Sequence, residues 1–107
     1  MANLSLQVRS DGPSCVVIAV AGEIDLATAP QLADCLREHQ DTDVIVDLSQ
    51  VSFLDSSGIN ALVQAYRRLR GQGRSLRAAH EQDHVRAVLK ASGVDGYLHA
   101  DAPDSGE

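Results

Sequence analysis

Residues 55 to 58 read Asp-Ser-Ser-Gly, two hydroxyls between a carboxylate and a residue with no side chain. A serine in such a place can act as a nucleophile, cap a helix, or accept a phosphoryl group. Nucleophilic catalysis needs a general base and an oxyanion hole around the serine. This tetrapeptide is not the Gly-x-Ser-x-Gly elbow of the hydrolases. None of His39, His80, His84 and His99 stands in an obvious position to serve it. A Walker-type loop and a dinucleotide fingerprint are also missing, and Gly71-Gln72-Gly73 lacks a phosphate-cradling pattern. The chain therefore reads as a substrate of enzymes and not as an enzyme, which leaves a cap or a phosphoacceptor.

The flanking pattern places these serines. Val44-Ile45-Val46 is a hydrophobic run that reads as a buried strand. Ile59, Leu62, Val63, Tyr66 and Leu69 then recur at helical spacing. Asp55 is a natural N-cap whose carboxylate accepts from the N–H of Ser57 or Gly58, so Ser56 occupies the first helical position with its hydroxyl free. Gly58 is expected to leave the backbone open to a close partner. A phosphate on Ser56 would add about −1.5 to −2 charges at the positive end of the helix. It would be repelled by Asp55, and by Asp25 if the two loops converge. Little refolding is expected from that balance, and a sharp change in the charge a partner meets.

The remaining elements follow from pattern. Leu4, Leu6 and Val8 alternate with polar residues as in a half-buried strand, and Asp11-Gly12 signals a hairpin turn. Residues 16–21 form a more buried strand ending at Gly22. A first helix is expected after Thr28 as N-cap, with Pro30 in its first turn and Ala29, Leu32, Ala33 and Leu36 inward. After the second helix, Leu76-Arg77-Ala78 reads as a short strand. A third helix is expected from Asp83 to Ser92, stopped by Gly93. Tyr97-Leu98-His99 is expected to add an edge strand, and residues 101–107 to form an acidic disordered tail. Strands alternating with helices predict an α/β fold with a partly parallel sheet, here made mixed by the opening hairpin. Residues 1–100 are expected to form a single domain.

Composition narrows the partners. Nine basic against fifteen acidic side chains give a net charge of −6, which argues against a nucleic-acid footprint. The run of arginines at 67, 68, 70, 74 and 77 reads as a solvated helix face and loop. Cys15 and Cys35 are too few and too far apart for a disulfide framework or a zinc site, and are expected as small buried hydrophobes. His80 and His84 are spaced i, i+4, but the residues between them read as a loop, so no metal and no cofactor are expected. No stretch approaches a membrane span and no leader is apparent, so a cytoplasmic protein is expected.

Three segments together resemble a known family. Asp55-Ser56-Ser57-Gly58-Ile59, preceded by Val51-Ser52-Phe53-Leu54, resembles the signature of the STAS domain, the anti-sigma factor antagonists of bacteria. Gly22-Glu23-Ile24-Asp25 is similar to the family's Gly-Glu-Leu-Asp loop, and Val85…Val88-Leu89…Ser92-Gly93-Val94 to its closing pattern. The resemblance implies a small mixed β-sheet of four to five strands with three to four helices packed largely on one face. It implies that Ser56 is the phosphoacceptor, with Ser57 as fallback. It places Asp25, Asp55, Ser57, Gly58 and Asn60 on a partner-binding surface that Gln64 and Arg67 could widen. Read from residues alone, Gly22-Glu23-Ile24-Asp25 is equally a turn glycine, a solvated glutamate and an aspartate opening the loop. Asn60 departs from the family, whose close members often carry glycine there.

The mechanism that resemblance implies is partner switching in transcription regulation and stress response. The unphosphorylated form binds an anti-sigma factor with a histidine-kinase-like ATPase fold, freeing the sigma factor. That anti-sigma factor is also the serine kinase that switches the chain off, and a PP2C-type serine phosphatase restores it. The alternative is a STAS scaffold or ligand-binding module with no phosphorylation, in a lipid-transport or stress-sensing complex.

Overall fold

A computed structural model of the chain describes residues 4–99. The chain forms β1 (Ser5–Ser10), β2 (Cys15–Ile24), α1 (Ala29–Arg37), β3 (Asp43–Leu54), α2 (Ser56–Gly71), β4 (Leu76–Ala79), α3 (Asp83–Ala91) and α4 (Asp95–Leu98). The four strands lie in the order β1-β2-β3-β4. β1 pairs antiparallel with β2 through the Asp11-Gly12 turn, where Gly12 takes a φ of 91°. β2–β3 and β3–β4 are parallel, each joined by a helical crossover. Crossovers of one hand running the same way along a sheet place α1 and α2 on the same side.

The packing agrees. Ile18 and Val20 of β2, Val44, Val46 and Leu48 of β3 and Leu76 and Ala78 of β4 belong to one buried cluster. Leu32 and Leu36 of α1, Leu62 and Leu69 of α2, and Val85 and Leu89 of α3 complete it. On the alternate positions Arg9, Val17, Ile45 and Arg77 lie in one register row, and Gln7, Ala19, Asp47 and Ala79 in the next. The fold is thus the mixed α/β sheet that the alternation of elements predicts, with four helices among the described residues.

Four expectations change. Tyr97-Leu98-His99 is not an edge strand: Leu98 N–H donates to Val94 O (3.1 Å) and the segment closes a short helix. Leu98 is fully buried there, and the Tyr97 ring lies on Tyr66 of α2 with centroids 4.8 Å apart. Those two contacts are worth more than edge pairing for so short a segment. β2 also continues through Gly22 to Ile24, because Gly22 adopts a φ of 118° beside two register irregularities that only such a residue absorbs readily. Thr28 stands at the N-cap of α1, yet its side chain makes no cap bond. Cys15 and Cys35 are half-buried free thiols whose pKa is raised, chiefly by burial. The tail expected over 101–107 lies outside the described residues.

Candidate functional site

The serine loop is built where β3 ends and α2 begins. Asp55 is extended at φ −112° and ψ −171°, and its Oδ1 accepts the N–H of Ser57 at 2.8 Å and of Gly58 at 3.4 Å. A cap of this kind supplies partners to helix donors that have none within the helix. Ser56 is the first residue of α2, exposed, and its hydroxyl has no hydrogen-bond partner among the described residues. Ser57 is half-buried behind it.

The second loop converges on the first. Asp55 N–H donates to Ile24 O at 3.1 Å, extending the β2–β3 pairing to the site itself. Asp25 follows, but its carboxylate turns into its own loop. Oδ1 accepts from Ala27 N–H and Thr28 N–H, both at 3.0 Å, and lies 3.2 Å from Thr28 Oγ1. Thr28 is only 1% exposed; its hydroxyl donates to Glu23 O at 2.6 Å and accepts from Asp25 N–H at 2.9 Å. Asp25 therefore fixes the shape of the loop, and Thr28, which sequence reasoning assigned to the helix cap, locks it. The signal was a Thr three residues after an Asp, a spacing common to many turns.

Gly58, expected at the surface, is buried. A Cβ built on it would lie 2.4 Å from Leu54 Cδ1 and 2.6 Å from Ile24 Cγ2. Its bareness lets α2 sit directly on the ends of β2 and β3, which sets the height at which Ser56 emerges. Asn60 is exposed, one turn along, with its Oδ1 3.5 Å from Gln64 Nε2. Arg67 is exposed farther along the helix.

Two apolar side chains missed by sequence reasoning flank the loops. Leu26 is 79% exposed and Phe53 46% exposed. Leu26 also borders a groove between α1 and α2, with a cavity volume of about 380 Å³, floored by Ala29, Ala33 and Ala61 and reaching Ser57 and Asn60. Each sits in a stretch whose periodicity points inward, so pattern alone could not single it out.

Behind the site, β4 pairs only with residues 44–47 of β3. Beyond that, side chains replace the missing strand. Gln82 Nε2 donates to Val51 O at 2.9 Å and to Ser49 O at 3.3 Å, and His84 Nε2 lies 2.7 Å from Ser52 O. His80 has a φ of 62° in the bend before α3, so the two histidines do not share a helix.

Comparison with known proteins fits this geometry. Residues 7–100 match the family model described as "Mlab, STAS domain". The anti-sigma-B factor antagonist of Listeria monocytogenes is 32% identical over 99 residues, covering 90% of this chain and 87% of the relative. The anti-sigma factor antagonist SpoIIAA in its unphosphorylated form superposes with a TM-score of 0.78 at 23% identity, covering 94% of this chain and 90% of that one. The phosphorylated form of the Bacillus protein superposes at 0.71 and 22% identity, covering 94% and 93%. Among the described residues no helix is long and apolar enough to cross a membrane.

Proposed function

The chain belongs to the STAS-domain family of anti-sigma factor antagonists, and from that premise we propose that it is a partner switch whose state is set by phosphorylation of Ser56. The observation that carries the reading is the exposed, unpartnered Ser56 hydroxyl at the first position of α2, fixed by the Asp55 cap. Unphosphorylated, the chain binds an anti-sigma factor of the histidine-kinase-like ATPase fold and releases its sigma factor. Asp55, Ser57, Asn60 and the exposed Leu26 and Phe53 form the contact, while Asp25 and Gly58 shape it from within.

The same partner acts as kinase. Ser56 Oγ attacks the γ-phosphorus of ATP, ADP leaves, and the hydroxyl proton passes to a base that the kinase supplies. The phosphoryl group meets the positive end of α2 but also the Asp55 carboxylate, so the domain holds its shape. The partner now meets a dianion where the contact formed. Burying that charge unpaired costs far more than the contact gains, and the complex separates. A PP2C-type phosphatase resets the switch.

Phosphopeptide mass spectrometry on the protein from its own cells, with and without stress, tests this reading. Phosphate at Ser56 that falls under stress and is lost in Ser56→Ala is the expected result. Phosphate at Ser57 moves the acceptor by one residue. A chain unmodified in every condition sinks the switch and leaves a STAS scaffold, for which the groove between α1 and α2 is the ligand-sized feature.

A further inference from the structure

The groove between α1 and α2 has two different ends. Each of these helices crosses between parallel strands, so the two run the same way. Leu26, Ala29 and Ser57 therefore lie together at one end, and Arg37 and Arg68 at the other. A rise of roughly 1.5 Å per residue puts Ser57 and Arg68 about 16 Å apart along α2. The floor between them is Ala29, Ala33 and Ala61, where larger side chains would fill the space between the helices. The cavity of about 380 Å³ falls within the roughly 300–1,000 Å³ usual for small-molecule sites.

The charge at the far end is unbalanced. Arg37 pairs with Asp34 at 3.2 Å in an exposed ion pair. Arg68 Nε is buried with no hydrogen-bond partner, and no ion pair holds the rest of the guanidinium among the described residues. A buried N–H without an acceptor is costly. With no bond to break, the side chain can turn its fork into the groove without loss. The Arg37–Asp34 pair cancels, so Arg68 leaves the groove one net positive charge on a chain whose total is −6. Its planar fork matches a carboxylate through two parallel N–H···O bonds.

We propose that this groove binds an unbranched aliphatic monocarboxylate, with its carboxylate on Arg68 and its chain over Ala33, Ala61 and Ala29 toward Leu26. One charge at one end of an apolar trough selects an amphipathic monoanion over an inorganic anion or a neutral hydrocarbon. An extended acidic peptide would bring backbone N–H and C=O groups that an alanine floor cannot satisfy. The chain end reaches Leu26, Ser57 and Asn60, so the bound ligand occupies ground that the proposed partner needs. That competition rests on the partner-switch reading, whereas the binding site itself does not.

The test is calorimetric titration of the full chain, without any partner, with decanoate below its micelle concentration, followed by heteronuclear NMR of the arginine Nε–H groups. One equivalent should bind, and the Arg68 Nε–H resonance should shift. Decanol has the same length without the charge, and acetate has the charge without the chain. Each should bind about tenfold more weakly or worse. Arg68→Gln should weaken decanoate about tenfold or more and leave decanol unchanged. Ala33→Leu, which fills the trough, should weaken both, and Lys90→Gln on α3 neither. Circular dichroism checks that each variant is folded, and Arg68→Gln carries the test if Ala33→Leu is not. Decanoate binding that Arg68→Gln retains, or decanol binding as tightly as decanoate, overturns the proposal. So does acetate binding as tightly as decanoate, which would leave an anion subsite alone. No uptake by a monomeric parent chain also overturns it, as does a dimer that decanoate fails to dissociate, which would put a second copy in the groove.

Discussion

At the residue scale, Gly58 shows how a motif position can serve packing while appearing to serve contact. An added Cβ would meet Leu54 Cδ1 at 2.4 Å, which can swing aside, and Ile24 Cβ at 3.2 Å, which is fixed to the backbone. Gly58→Ala gains up to about 1 kcal/mol of helix propensity but incurs an overpacking cost of roughly 1–3 kcal/mol. The variant should therefore unfold at lower denaturant than the parent, as fluorescence-free urea melts followed by circular dichroism would show. Equal or greater stability would mean that α2 lifts off the strand ends without penalty. Asp25 and Thr28 teach the same lesson. Their side chains bond within their own loop, so the motif preserves a shape as much as a surface.

At the scale of elements, β3 is the part that carries the site. Its first half pairs on both sides, and its second half is held by β2 on one side and by Gln82 and His84 on the other. Asp47 sits where the two halves meet. Partial burial pushes its carboxyl up, but the N–H of Ser49 at 2.9 Å, the Ser49 hydroxyl and the charges of His80 and Arg9 outweigh that and hold it below its ordinary value. A carboxyl held low in the folded state stabilises above its unfolded value of about 3.9. That contribution is lost as pH falls through the folded value. Asp47→Asn should accordingly flatten the loss of stability below about pH 5, measured as urea midpoints at neutral pH and at about pH 3. Parallel losses in parent and variant would show that Asp47 is not coupled to folding.

At the scale of the whole molecule, α4 is small in length and large in effect. Leu98 is fully buried in the common core, and Tyr97 rests on Tyr66 of α2. Leu98→Ala should cost roughly 2–5 kcal/mol, the range for emptying a buried leucine site. A loss well under that range in equilibrium denaturation would mean α4 is only loosely docked. The same docking brings the His99 ring between the Glu81 and Asp95 carboxylates, so α4 is tied down by an ion pair as well as by the core leucine. The overall charge of −6 adds a general bias: a phosphate on Ser56 would increase an already negative field and disfavour acidic partners further.

Much of this was legible along the chain. The hydrophobic run at residues 44–46, the helical stripe from Ile59 to Leu69 and the Asp55 cap are local patterns, and local patterns follow from backbone geometry that neighbours in sequence share. They located Ser56 at the head of a helix and predicted the mixed α/β sheet. What they could not decide was direction and company. Gly58 faces Ile24, and Leu26 and Phe53 face water, because elements distant in sequence occupy or leave open the space beside them. Tyr97-Leu98-His99 fits a strand or a helical turn equally over so few residues, until the core claims Leu98. Glu81, Asp95 and His99 show no common pattern in the sequence, and only the closing of α4 against the bend before α3 brings them together. Periodicity is a property of one segment, whereas burial and the meeting of charges belong to the packed whole.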